Sequence, residues 1–147
     1  MNSIKLKAIE NMSNKGIAKE HALCAFFGIN RERHDNTDYR TSSDIIMGER
    51  RISVKSSGFT LMNSTLCEDK ETLSDIWNVY ETNTNANEVA YITNDFTAYF
   101  MTIKEFKTFV EMFCRVERDS TKNGGKMKIR CKHESSKMRV WFELSSP

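Results

Sequence analysis

Proline is almost absent: the one copy, Pro147, is the last of 147 residues. No proline-rich linker and no internal repeat divides the chain. Cysteine is equally uninformative as a framework. Cys24, Cys67, Cys114 and Cys131 are far apart, with no Cys-x-x-Cys and no Cys/His cluster, and His21, His34 and His133 are scattered too. This pattern argues against a zinc site or a disulfide scaffold and for reduced cysteines, some of them in the core. Long apolar runs are also missing, and the opening MNSIKLKAIENMSNK lacks the hydrophobic region of a signal peptide. The expectation is a cytoplasmic protein with no membrane segment.

What is present suits one globular domain. The length supports a single core, and 39% hydrophobic with 29% charged residues is a folding composition rather than a disordered one. The net charge of +2 names no partner by itself. Ser13 and Asn14 open a helix whose apolar residues Ile17, Leu23, Ala25, Phe26 and Phe27 end near Gly28. Residues 1–12 read as a short helix, and 30–43 as a polar loop. The period then switches to two: Asp44-Ile45-Ile46-Met47 and Arg51-Ile52-Ser53-Val54-Lys55 flank Gly48-Glu49-Arg50, a hairpin pattern that 59–62 extends. Leu73, Ile76, Trp77 and Tyr80 give residues 69–82 an amphipathic helical face. Residues 83–87 form a loop rich in Asn and Thr.

Glu88 to Thr93 and Thr97 to Met101 are β-rich runs around the turn Asn94-Asp95. Thr102 and Glu105 form a capping-box pattern ahead of Ile103, Phe106, Phe109, Val110 and Phe113. A final hairpin is expected, 126–132 against 137–144. The order predicts an α/β or α+β fold in one domain, a central mixed β-sheet flanked by helices, with a C-terminal basic β-hairpin.

The first hairpin carries the chemistry. Alternation puts Arg51, Ser53 and Lys55 on one strand face and Ile52 and Val54 on the other. A tight turn brings Asp44 close to Lys55, so an acid, a hydroxyl and an amine converge. Phosphodiester hydrolysis uses such parts: a carboxylate for Mg²⁺ and a lysine to act on the attacking water or the phosphate. One carboxylate holds Mg²⁺ weakly, so a second acid is expected.

A helix bearing Glu20, then Asp44-Ile45, then Ile52-Ser53-Val54-Lys55-Ser56-Ser57-Gly58-Phe59, resembles the PD-(D/E)xK nucleases. These include type II restriction endonucleases and archaeal-type Holliday junction resolvases. The resemblance covers roughly 14–62, with compatible elements to about 115. It implies a restriction-endonuclease-like core, Asp44 as the first metal-binding acid, Lys55 as the motif lysine and Glu20 as the helical acid. It further implies Mg²⁺ or Mn²⁺ as cofactor, DNA as substrate and a homodimer. Two positions depart from the pattern: Ser43 stands where proline is usual, and Ser53 where Asp or Glu is usual. A branch of restriction endonucleases also reads Ser-x-Lys and takes its glutamate from a downstream helix. Glu68, Asp69 and Glu71, which follow Lys55 by 13, 14 and 16 residues, are the candidates here.

A basic surface is a separate hint. Lys126, Lys128, Arg130 and Lys132 recur every second residue, and Lys137, Arg139 and Trp141 share the outward face of the expected return strand. Such a face suits a polyanion by counterion release, although lysines also protect sheet edges. Arg31, Arg33 and Arg40 form a second candidate phosphate contact, mixed with Glu32, Asp35 and Asp38. The sequence therefore supports a metal-dependent DNA endonuclease first. A nuclease-like fold without catalysis, acting as a nucleic-acid-binding or protein-interaction module, is the second reading. A small non-enzymatic RNA- or protein-binding domain is the third.

Overall fold

The computed structural model describes residues 1–29, 43–61, 65–118, 127–131 and 136–145. Strand β1 (Asn2–Lys5) precedes helix α1 (Lys15–Phe27). Asn14 caps α1 through its side chain, which accepts from Ile17 N–H at 3.1 Å, and Gly28 ends it at φ 69°. Left-handed backbone of that kind favours glycine. Strands β2 (Ile45–Met47) and β3 (Arg50–Ser56) form the expected hairpin, with Gly48 in the turn at φ 58°. Then come β4 (Thr60–Leu61), a 3₁₀ turn (Thr65–Cys67) and α2 (Leu73–Asn83). Strands β5 (Glu88–Ile92) and β6 (Thr97–Thr102) lead into α3 (Ile103–Phe113), where both halves of the Thr102/Glu105 capping box are made. Strands β7 (Cys114–Arg118) and β8 (Met127–Cys131) and helix α4 (Ser136–Ser145) complete the described elements.

The result is an α+β domain. Its larger sheet runs β1-β6-β5-β3-β2, with β3 and β5 parallel and the other pairs antiparallel. A parallel neighbour needs a crossover, and α2 lies on the connection from β3 to β5. The smaller sheet runs β4-β8-β7. Helix α1 covers one face of the larger sheet, where Ala22, Leu23 and Cys24 meet Ile45, Ile52, Ala90 and Ile92. On the other face Trp77, Tyr80, Phe106, Phe109 and Phe142 from the remaining helices pack against Val89, Tyr91 and Met101. Strand β5 is therefore apolar on both sides, as a strand covered twice must be. No described helix is long and apolar enough to cross a membrane.

Three expectations are corrected. Residues 2–5 form an edge strand on β6 rather than part of a helix, because pairing with β6 puts Ile4 and Leu6 against the α1-side core. Residues 60–61 do not extend the hairpin's sheet; they pair with β8 in the smaller one. The C-terminal basic hairpin is not formed: β8 pairs with β7, and 136–145 is helical. Met138 and Phe142 are buried on both readings, since a spacing of four satisfies either period. Val140 and Leu144 distinguish them, being 52% and 82% exposed, and Trp141 turns inward onto Phe109 and Phe113.

That placement has a measurable consequence in urea denaturation. Phe142→Ala should cost about 3–5 kcal/mol, whereas Val140→Ser should stay within about 0.5 kcal/mol. A strand at 137–144 would make both substitutions expensive.

Candidate functional site

Strand β3 builds the centre of the site. Its register sets Ser53 beside Val89 and Lys55 beside Tyr91, so both polar side chains share the sheet face that carries the aromatic cluster. Ile52 and Val54 belong to the opposite, α1-side core. Asp44 stands where β2 begins. Its N–H donates to Ile52 O at 2.8 Å, and its Oδ2 accepts from Val54 N–H at 2.7 Å. The carboxylate thus takes the place of a strand carbonyl at the end of the ladder, which fixes its position without using Oδ1. Among the described residues Oδ1 has no partner.

Lys55 feels both its burial and this carboxylate. Burial pushes its pKa down, and the Asp44 charge opposes the shift. Among the described residues its ammonium group has no hydrogen bond or ion pair. Ser53 is 1% exposed, and among the described residues its Oγ has no hydrogen-bond partner. A buried hydroxyl without a partner costs free energy comparable to a lost hydrogen bond. Asp44 therefore acts electrostatically on Lys55, and Ser53 shares the Lys55 face of β3.

The structure adds residues that the sequence reading missed. Tyr80 projects from α2 toward Asp44; burial, reinforced by the Asp44 charge, pushes its phenol up, so it stays protonated. Its position in the apolar repeat of α2 gives no hint of this. The Asn-rich loop after α2 is a brace. Asn85 Oδ1 accepts from Ser43 Oγ at 2.8 Å, and its carbonyl accepts from Arg51 Nε at 2.5 Å. Asn87 Oδ1 accepts from Arg51 N–H at 2.9 Å, and Asn87 Nδ2 donates to Glu49 O at 2.7 Å. These bonds clamp both sides of the hairpin around Asp44. Nearby, Arg50 grips Glu88 through two bonds of 2.7 and 3.0 Å and lies over Phe27 and Phe100.

Of the candidate second acids, Glu68, Asp69 and Glu71 lie away from Asp44. No group of three His, Cys, Asp or Glu side chains that could hold a metal occurs among the described residues. Glu68, Asp69 and Glu71 are exposed in the segment before α2, and Asp69 lies 3.5 Å from Lys70 Nζ. Tyr80 is seven residues beyond the first residue of α2, about 10 Å along the axis, so these acids flank the far end of that helix. Glu20 is half-buried on α1. α1 approaches the end of β3, since a Cβ at Gly16 would stand 3.9 Å from Ser56 Oγ. Lys19 beside it is 4% exposed and donates to Asn94 Oδ1 at 2.8 Å, so this flank of α1 is not a solvated charged face. Magnesium commonly uses one or two carboxylates and fills the rest of its octahedron with water and substrate phosphate oxygens. Asp44 Oδ1 is one such carboxylate oxygen, and among the described residues no group of three acids completes a set around it.

The basic candidates divide. Lys128 and Arg130 lie on β8 opposite Glu117 and Arg115. Glu117 holds Arg115 at 3.0 Å and stands 3.9 Å from Arg130, so this face is cationic but partly neutralised. Lys137 and Arg139 are exposed on α4 rather than on a return strand. Lys126, Lys132, Arg31, Arg33 and Arg40 lie outside the described residues. A cavity of about 600 Å³ between the 93–95 turn and α4, lined by Tyr99, Arg139 and Glu143 among others, is separate from the residues around Asp44. No family model, curated protein or solved structure matches the chain.

The lowered pKa of Lys55 means that the folded protein binds fewer protons than the unfolded chain between that value and the ordinary 10.5. Stability should therefore rise with pH through that window. Lys55→Met should abolish this rise and stabilise the protein at neutral pH by about 0.5–2 kcal/mol, both read from urea midpoints across pH.

Proposed function

We propose that this chain is a metal-dependent DNA endonuclease that hydrolyses phosphodiester bonds, with Asp44 and Lys55 at its centre. The observation that carries the reading is the pairing of a fixed, half-used carboxylate with a desolvated lysine, beside the buried unsatisfied hydroxyl of Ser53. Asp44 would hold Mg²⁺ or Mn²⁺ through Oδ1 while Oδ2 stays on Val54 N–H. The ion would polarise the phosphate and acidify water. Lys55 orients or deprotonates the attacking water and offsets charge on the phosphate. Ser53 donates its hydroxyl to water or to a phosphate oxygen. Tyr80 keeps its proton beside the carboxylate. Lys128, Arg130, Lys137 and Arg139 are the described basic residues available to a nucleic-acid backbone, and two copies would cut the two strands of a duplex.

The hairpin, the crossover through α2 and the parallel β5 are compatible with the core that the PD-(D/E)xK resemblance implies. A second reading is a nuclease-like fold that binds nucleic acid or protein without cutting. The observation favouring it is the lack of a three-membered acidic group among the described residues.

Supercoiled plasmid and branched DNA, incubated with Mg²⁺, Mn²⁺ or EDTA, separate the two readings. The endonuclease reading expects metal-dependent cutting that falls at least about 100-fold in both Asp44→Asn and Lys55→Met. DNA retention without cutting in any metal would establish the binding module instead.

A further inference from the structure

Strands β7 and β8 set Cys114 directly opposite Cys131. Cys131 N–H donates to Phe59 O at 3.1 Å, on the β4 side. A residue in an antiparallel strand turns its N–H and C=O to the same edge, so neither group of Cys131 points at β7. Cys114 and Cys131 therefore form a non-hydrogen-bonded pair, the kind that holds Cα atoms about 4.5 Å apart with side chains close. Disulfides span Cα separations of about 4.4–6.8 Å. Contact with Cys131, together with burial, pushes the Cys114 thiol up, so the two sulfurs interact across the strands. Cys131 is buried and Cys114 half-buried; Cys67 is buried in the same core cluster without a strand partner facing it, and Cys24 is buried in the other cluster. Only Cys114 among the four thus combines a facing thiol with a route to solvent.

We infer that Cys114 and Cys131 are a redox-modification site that closes to an intramolecular disulfide when a low-molecular-weight disulfide reaches Cys114. The Cys114 thiol loses its proton and attacks one sulfur of the oxidant. The oxidant's S–S bond breaks, and one thiol leaves carrying that proton. Cys131 then loses its proton and attacks the Cys114 sulfur of the mixed disulfide, releasing the second thiol. Two protein thiols are oxidised and one small disulfide is reduced to two thiols. The bridge ties the end of α3 to β8 and locks the register that presents Arg115, Lys128 and Arg130.

The test uses the full chain, equilibrated natively in glutathione buffers spanning about −320 to −180 mV, then acid-quenched, denatured and alkylated. Circular dichroism before the quench confirms that the fold is kept. The expected result is a fall from four free thiols to two, loss of the mass of two hydrogens, and one cross-linked peptide joining Cys114 to Cys131. Dithiothreitol restores all four. In Cys131→Ser the same buffers should leave glutathione on Cys114, because the resolving thiol is gone. Four free thiols throughout, a glutathione adduct persisting on wild-type Cys114, or a bridge through Cys24 or Cys67 would each overturn the inference.

Discussion

Strand β3 carries hydrogen-bonding groups on both edges, and on the β2 side the ladder runs out where β2 begins at Ile45. The N–H of Val54 lies just beyond that point. Left bare inside the sheet it would cost roughly what a lost hydrogen bond costs. The Asp44 carboxylate supplies the missing acceptor at 2.7 Å. This substitution ties one carboxylate oxygen to the backbone, and the charge of the carboxylate is felt by Lys55. Everything that makes the hairpin chemically interesting follows from it.

The surrounding structure serves that arrangement at some cost. Ser53 and Lys55 occupy a sheet face that is otherwise aromatic and aliphatic, and a lysine there loses hydration without gaining an ion pair among the described residues. Replacing such groups by apolar ones generally stabilises a fold, and natural sequences keep them where activity needs them. Perturbed titration next to a specific charge partner is a recognised mark of functional sites. The asparagine brace has the same sense: Asn85 and Asn87 spend their hydrogen bonds holding Ser43, Glu49 and Arg51, the residues that flank Asp44 on both strands.

Much of this was legible in the sequence because it is local. Gly28, Gly48 and the Thr102/Glu105 capping box each act within a few residues, and the period-two run 51–55 states its own geometry. The failures are non-local. Strand β1 is defined by a partner more than ninety residues away, and β7 by β8. Met138 and Phe142 read equally as strand or helix until Val140 and Leu144 are seen in solvent. The Cys114–Cys131 pair is invisible as a motif, since only the register of two strands makes neighbours of them. Asp44 and Lys55 stand out in the sequence as residue types at a spacing, whereas the bond to Val54 N–H and the approach of Tyr80 arise only from the folded register.

The most direct test of the Asp44-centred account is a crystal structure of the Lys55→Met protein with a short DNA duplex and Mn²⁺, located by its anomalous scattering. The account predicts a Mn²⁺ peak about 2.2 Å from Asp44 Oδ1 and from a phosphate oxygen, with Oδ2 still on Val54 N–H. DNA bound elsewhere on the protein, or Mn²⁺ absent from Asp44 at saturating concentration, would contradict it.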